Sequence, residues 1–481
     1  MGSGDAGRRK RLTRYYPQWA VVAVLALGGL CASFMFTLVV PIQAQLPELL
    51  DAPREDTAWV VTATLLTAAV ATPISGRLGD MYGKRRIVLI LLALLVVGSV
   101  IAALSTSIIG IVIGRALQGA VTGVVPLGIA ILRDIVHSDH LGTAVALISA
   151  TMGVGGAIGL PLSAIVTARA DWHMLFWMSA GIGVVVFALV LWIVPVSLLR
   201  FPGRFDFVGA LGLAAGLTGL LLAVSRGGEW GWLSAPTLGC GIGGILVLLV
   251  WGRYQLRTRE PLLDLRVAAR TPVLLTNLAS IGMGFALFGS NVLFPQLLEL
   301  PTGSGVGFGL SLIGAALVVM PSGIIMMLIS PLSGWFARTV GPRLLFTLGA
   351  LAVVLAYVVA LALGTEVWHI VMANMLVGVG IGLSFAAMPL LIMRSVPADE
   401  TGASNGLNAL FRSVGTSSAA AVLGGVLAFM SVPFEGVPVP TAAAFELSFW
   451  IAGSAALFAL VLTLFIPRHA SVEQHPATPA D

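Results

Sequence analysis

Fourteen apolar runs, each long enough to cross the roughly 30 Å hydrocarbon core of a bilayer, fill most of this 481-residue chain. They lie near 18–41, 57–75, 87–105, 107–131, 141–168, 172–197, 208–224, 235–252, 273–297, 308–330, 343–363, 366–392, 403–430 and 443–466. A chain that is 58% hydrophobic and 10% charged, with a mean hydropathy of +1.01, is solvated largely by lipid. The expected fold is therefore an all-α polytopic membrane protein. The 208–224 and 235–252 runs are the shortest and richest in glycine, and a twelve-span chain results only if that pair is dropped as a unit.

Basic residues set the orientation, because Lys and Arg are retained on the cytoplasmic side of short loops. Fourteen spans with a cytoplasmic N-terminus place about 21 of the 26 Lys and Arg inside. Arg54, Arg169 and Arg226 then fall in outer loops, and Arg115 and Arg412 fall within spans. Both termini are expected in the cytoplasm, with the chain multi-pass in a bacterial inner membrane. The net charge of +5 and pI near 9.7 read as loop charge facing anionic lipid rather than as a nucleic-acid surface. The run Arg8, Arg9, Lys10, Arg11 and Arg14 reads as the flank of an uncleaved anchor, since the first apolar run is too long for a signal peptide. Cys31 and Cys240 both sit in apolar segments and form no disulfide or metal framework.

The chain repeats itself. SGWFARTVGPR at 333–343 overlays SGRLGDMYGKR at 75–85 without a gap, an offset of 258. Gly119 and Gly123 of GRALQGAVTG overlay Gly378 and Gly382 at 259, and DHLG (139–142) overlays DETG (399–402) at 260. Three matches at nearly one offset divide the chain into a basic N-terminus (1–17), a six-helix bundle (18–197), two inserted helices with their linkers (198–272), a second six-helix bundle (273–466) and a tail (467–481). Paired six-helix halves are a secondary-transporter plan, with the cargo site between the halves near the midplane.

GRLGDMYGKRR, between the second and third spans, resembles the signature loop of the major facilitator superfamily, matched by Gly76, Asp80, Gly83, Lys84, Arg85 and Arg86. Arg115, Gln118, Gly119 and Gly123 resemble that family's fourth-helix motif. Fourteen spans, Trp59 opening the second and PLLDLRV (261–267) before the ninth resemble the fourteen-helix drug:proton antiporter branch. The resemblance runs from about 18 to 466 and implies a major facilitator fold, two six-helix bundles plus two central helices. It also implies a gating loop that latches the halves together at the cytoplasmic side, and a part for Arg115 in proton transfer.

The residues carry their own physical reading. Gly76 and Gly83 permit a tight turn and close helix approach. Asp80 can sit against the positive end of a neighbouring helix, and Lys84 to Arg86 can pair across the cytoplasmic seam. Setting topology accounts for the basic residues alone, but for neither Asp80 nor the glycine spacing. The second copy has Arg338 where the first has Asp80, so the latch should be one-sided. An unpaired arginine such as Arg115 costs at least about 2.5 to 3.5 kcal/mol inside a span, so it serves either coupling or bonding to backbone carbonyls. Arg412 is the other such residue, read as closer to a helix end.

GVGGAIGLPLSA at 153–164 resembles the exporters' fifth-helix motif through Gly153, Gly155, Gly159 and Pro161, but departs from it at Leu160 and at Ser163-Ala164. In the first span the branch commonly carries an acid where this chain has Leu38, within LVVPIQAQLP (38–47). None of the 21 acids lies deep in a span; Asp206 and Glu299 come nearest, so Asp80, Glu299 or a relay through Arg115 and Gln118 remain the coupling candidates, with Arg412 beside them. Gln43, Gln45, Asn277, Phe285, Asn291, Gln296, Asn405 and Asn408 are candidate cavity lining.

The six His lack ligand spacing, no nucleophile and base stand together, and Gly83-Lys84-Arg85 is not a phosphate-binding loop. The expectation is thus no enzyme, no metal and no cofactor. It is a monomeric transporter exporting antibiotics or other lipophilic or amphipathic compounds by alternating access, coupled to protons, with a nutrient symporter or uniporter as the alternative.

Overall fold

The structure is a computed structural model that describes residues 17–39, 42, 45–196, 203–434 and 437–467. The basic run at 8–14, most of the tail and Gln43 lie outside the described residues. Without water in the hydrocarbon core, a spanning segment must satisfy its own peptide groups, and each apolar run does so as a helix. In chain order these are α1 (Gln18–Thr37), α2 (Trp59–Tyr82), α3 (Lys84–Leu104), α4 (Ile108–Ile135), α5 (Asp139–Thr167), α6 (Met174–Ile193) and α7 (Phe207–Trp230). They continue with α8 (Ala235–Arg257), α9 (Thr271–Glu299), α10 (Leu312–Thr339), α11 (Pro342–Leu363), α12 (Val367–Ser395), α13 (Thr401–Phe429) and α14 (Ala442–Phe465). A hairpin, β1 (Ser431–Phe434) against β2 (Val437–Pro440), joins the last two. All fourteen are long and apolar enough to cross a membrane, so this is a multi-pass membrane protein.

Two helices overrun their apolar windows. α2 continues to Tyr82 and α10 to Thr339, so all of the SGRLGDMY stretch and of its copy SGWFART is helix rather than loop. The turn falls on one glycine in each copy, Gly83 at φ +107° and Gly341 at φ +87°, a backbone region that L side chains disfavour. Gly76 is therefore no turn residue. Arg226 is also displaced from its expected outer loop: it lies inside α7, buried, with its guanidinium 4.6 Å from the Trp59 ring centre and an ion pair to Glu229.

Within the first six helices α1 packs on α5, α3 on α6 and α2 on α4; within the last six α9 packs on α13 and α14, and α11 on α12 and α14. The two sets meet along two seams, α2 with α13 and α5 with α10. α7 rests on the first seam, where Leu213, Leu217 and Leu221 join Ala69, Leu407 and Leu410 in one apolar cluster. α8 packs on α7 through glycines: a Cβ on Gly244 would stand 2.6 Å from the Leu220 nitrogen. Most of the rest of α8 faces outward.

Asp206, the acid at the start of α7, organises the linker after α8. Its carboxylate accepts from the Gly209 amide at 2.7 Å, Tyr254 Oη at 3.1 Å, Gln255 Nε2 at 2.8 Å and the Leu262 amide at 3.3 Å. The PLLDLRV stretch is anchored by these bonds and by burial of Leu262 and Leu263.

Candidate functional site

Both seams are built from the repeated glycines. On α2, a Cβ at Gly76 would lie 2.4 Å from the Gly402 carbonyl oxygen at the start of α13. On α10, a Cβ at Gly334 would lie 2.3 Å from the Thr143 backbone at the start of α5. Gly142 and Gly402, which overlay in the repeat, each face the other half's glycine, so both crossings are backbone against backbone. Both occur at the face carrying the α2–α3, α4–α5, α10–α11 and α12–α13 connections, called the basic face below.

At the first crossing Asp80 is fully buried, and its Oδ2 accepts from the Ala403 amide at 3.1 Å. An acid in one set thus caps the first turn of a helix in the other, where exposed amides and the helix dipole favour negative charge. Its Oδ1 has no hydrogen-bond partner among the described residues. Lys84 and Arg85 do not pair across the seam. Lys84 Nζ is buried and reaches Asp134 Oδ2 at 2.6 Å and the Ala130 carbonyl at 3.4 Å, and Arg85 donates to the Leu191 carbonyl, all within the first six helices. Chain geometry explains this: Gly83 turns α3 back along its own set, aiming its first residues at α4 and α6.

The basic residue that crosses is Arg133, which sequence reading passed over. It donates to the carbonyls of Val396 and Pro397, each at 3.3 Å, and to Thr401 Oγ1. A charge at a helix end next to a loop reads as topology. Its one distinguishing signal was the repeat, which sets Arg394 nearly opposite it at an offset of 261.

At the second crossing no acid of α10 caps the facing helix among the described residues. Arg338, the counterpart of Asp80, borders a cavity of about 220 Å³ lined also by Arg133, Arg394, Leu141 and Leu390.

Arg115 is buried in α4 and satisfied by the protein. It donates to the Met35 carbonyl at 2.9 Å, the Val60 carbonyl at 3.3 Å and Gln118 Oε1 at 3.0 Å, and Gln118 Nε2 donates to Ser99 Oγ at 2.7 Å. No carboxylate pairs with it among the described residues. Its repeat counterpart Asn374 similarly donates to a carbonyl, that of Val319, at 2.8 Å. In α5, Gly155 and Gly159 admit α1, where Cβ atoms would meet Ser33 at 2.4 Å and Thr37 at 2.1 Å. Gly153 faces Met326 of α10 instead. Pro161 is buried within the unbroken helix, and Leu38 lies buried just beyond α1 in an apolar cluster, where the branch would carry an acid.

Between the sets, in the half of the helices nearer the basic face, lies a central cavity of about 10 Å³, room for one water. Asn405, Asn408 and Arg412 of α13 line it, together with Ser149, Met152 and Phe385. Asn408 Nδ2 donates to Asn277 Oδ1 at 3.0 Å and Ser280 Oγ at 3.2 Å, and Asn405 Nδ2 to the Thr401 carbonyl at 2.9 Å. Arg412 is not near a helix end: α13 spans 29 residues from Thr401, which sets Arg412 about 17 Å along it. Asn291 and Glu299 do not join this cavity; both are exposed, toward the far end of α9.

Two helical sets meeting at paired seams around a central cavity make a two-halved membrane protein. The chain belongs to the Major Facilitator Superfamily, whose family model matches residues 25–420. It is 27% identical over 439 residues to an uncharacterised MFS-type transporter of Mycobacterium tuberculosis strain H37Rv, covering 87% of this chain but only 63% of that relative's length. It is 26% identical to the lincomycin resistance protein LmrB of Listeria monocytogenes, over 84% of this chain and 86% of LmrB. Among solved structures, that of the human organic anion transporter MFSD10 superposes with a TM-score of 0.65 at 16% identity, covering 93% of this chain and all of the other, a likeness of fold alone.

Proposed function

We propose that the protein exports lipophilic or amphipathic compounds, antibiotics among them, across a bacterial inner membrane, with the basic face and both termini in the cytoplasm. The observation that carries the reading is the closure at the basic face. The backbone crossings, the Asp80 cap and the Arg133 bonds all gather there, which is what a carrier closed to the cytoplasm and poised to open outward requires. The names of relatives such as LmrB support export over uptake. The six-helix halves at 18–197 and 273–466 would rock about the central cavity, and the carrier would work as a monomer. We infer coupling to proton entry as well. No carboxylate lines the central cavity, so the proton would be carried elsewhere, and Asp80 is the buried acid placed to link protonation to closure.

Growth inhibition by a broad antibiotic panel, compared in expressing and non-expressing cells, tests the assignment. Lower drug accumulation on expression is expected; raised accumulation would favour the symporter or uniporter alternative. Proton coupling is read from intravesicular pH on substrate addition, and cargo movement indifferent to an imposed pH gradient would reject it.

A further inference from the structure

Arg115 and Arg412 both lie inside spans, and the protein treats them differently. Arg115 has two carbonyls and a glutamine oxygen around its guanidinium. The Arg412 guanidinium stands 4.8 Å from the Phe385 ring centre and takes part in no hydrogen bond or ion pair among the described residues. It borders the central cavity, whose lining contains no Asp or Glu. Arg412 is half-buried inside the helical bundle, where a cation is costly unless something offsets its charge, and the protein supplies only the face of a ring.

We propose that the counter-charge is the cargo's, and that this carrier selects amphipathic organic anions, a carboxylate on an apolar skeleton. The proposal rests on the transport reading above and narrows its cargo. A guanidinium presents a planar fork that matches a carboxylate bidentately, and Asn405 and Asn408 flank it with amides. Asn405 Oδ1 is buried without a partner, and as an acceptor it would take a hydroxyl on the cargo's skeleton rather than its carboxylate. Val125, Ile129, Met152 and Phe385 make most of the remaining wall apolar, with Ser149 as a further polar group, which suits an organic skeleton. A lipophilic cation would meet Arg412 with no acid to offset the repulsion.

The test uses the full-length protein and two probes, fusidate, a steroid carboxylate, and ethidium, a lipophilic cation. Binding is read as the shift in thermal unfolding of the purified protein, and transport as accumulation in energised everted vesicles. Fusidate is expected to stabilise the wild type and Arg412→Lys but not Arg412→Gln, and ethidium none of them. Fusidate accumulation should fall at least about tenfold in Arg412→Gln and be partly kept by Arg412→Lys, as expected for loss of a charge-assisted pair. Equal stabilisation of Arg412→Gln by fusidate, absence of any fusidate binding, or ethidium binding as firm as fusidate's each overturns the proposal. Fusidate that binds through Arg412 but is not moved would uphold the charge assignment while rejecting export. Elution of each variant as a single monodisperse species separates these outcomes from misfolding.

Discussion

The two seams began as the same design and are now unlike. Each crosses glycine to glycine at the basic face, Gly76 with Gly402 and Gly334 with Gly142. The α2–α13 seam then adds the buried Asp80 cap, and the α7–α8 pair braces its flank. The α5–α10 seam has Arg338 in place of the acid, an open basic cavity and no inserted helices against it. Shape complementarity is thus shared between the copies, and electrostatic holding is concentrated in one. The difference teaches that closing and locking are separable: both seams must fit, but one can supply the bond that holds the fit.

Substituting the glycines should damage both seams alike. Gly76→Val and Gly334→Val each force carbon into backbone at 2.4 Å or less, and overpacking costs about 1–3 kcal/mol, so vesicle transport should fall roughly tenfold or more in each. A full loss at one seam beside an intact second would break the equivalence. Asp80→Asn should act next most strongly and only at the first seam. A hydrogen bond to a charged group contributes about 1.5–3 kcal/mol. Maleimide labelling of a cysteine placed at 405, with Cys31 and Cys240 replaced, should therefore quicken from the basic face by about tenfold or more. Labelling no faster than the parent's would reject Asp80 as a lock.

Arg133→Gln removes bonds to Val396, Pro397 and Thr401 that are only partly buried, so it should quicken the same labelling by only about three- to tenfold, near 1 kcal/mol. The smallest effect is expected from Arg338→Asp, which restores an acid beside the first turn of α5. At about 0.3–1 kcal/mol for a charge at a helix terminus, it should slow labelling by no more than about fivefold. Faster labelling would show that Arg338 itself holds the second seam closed.

Much of this was legible in the chain, and the failures share a cause. The number of spans follows from apolar length, and both glycine crossings lie on motifs that the repeat singles out. The partners across the seam do not follow from local pattern, because Ala403 and Thr401 lie more than 260 residues from the side chains that bind them. Arg412 was misjudged in depth because SNGLNALFRSVGTSS, rich in Ser, Asn and Thr, looks like a span margin. Those polar groups bond within α13 or to α9, as Asn408 does with Asn277, so the segment enters the membrane as core. Lys84 misled for the opposite reason: a base beside a turn suggests a reach outward, whereas a single-residue turn folds it back onto α4.

That single residue has a mechanical meaning. Gly83 is at once the last residue capping α2 and the first capping α3, so the joint has no slack. A rotation that lifts α2 off Gly402 is delivered undiminished to the first turn of α3. There Lys84 grips Asp134, the neighbour of Arg133 on α4. The cap on α13 and the Arg133 bonds are therefore coupled like two bolts on one lever, and lengthening the lever by a residue after Gly83 should let one open without the other.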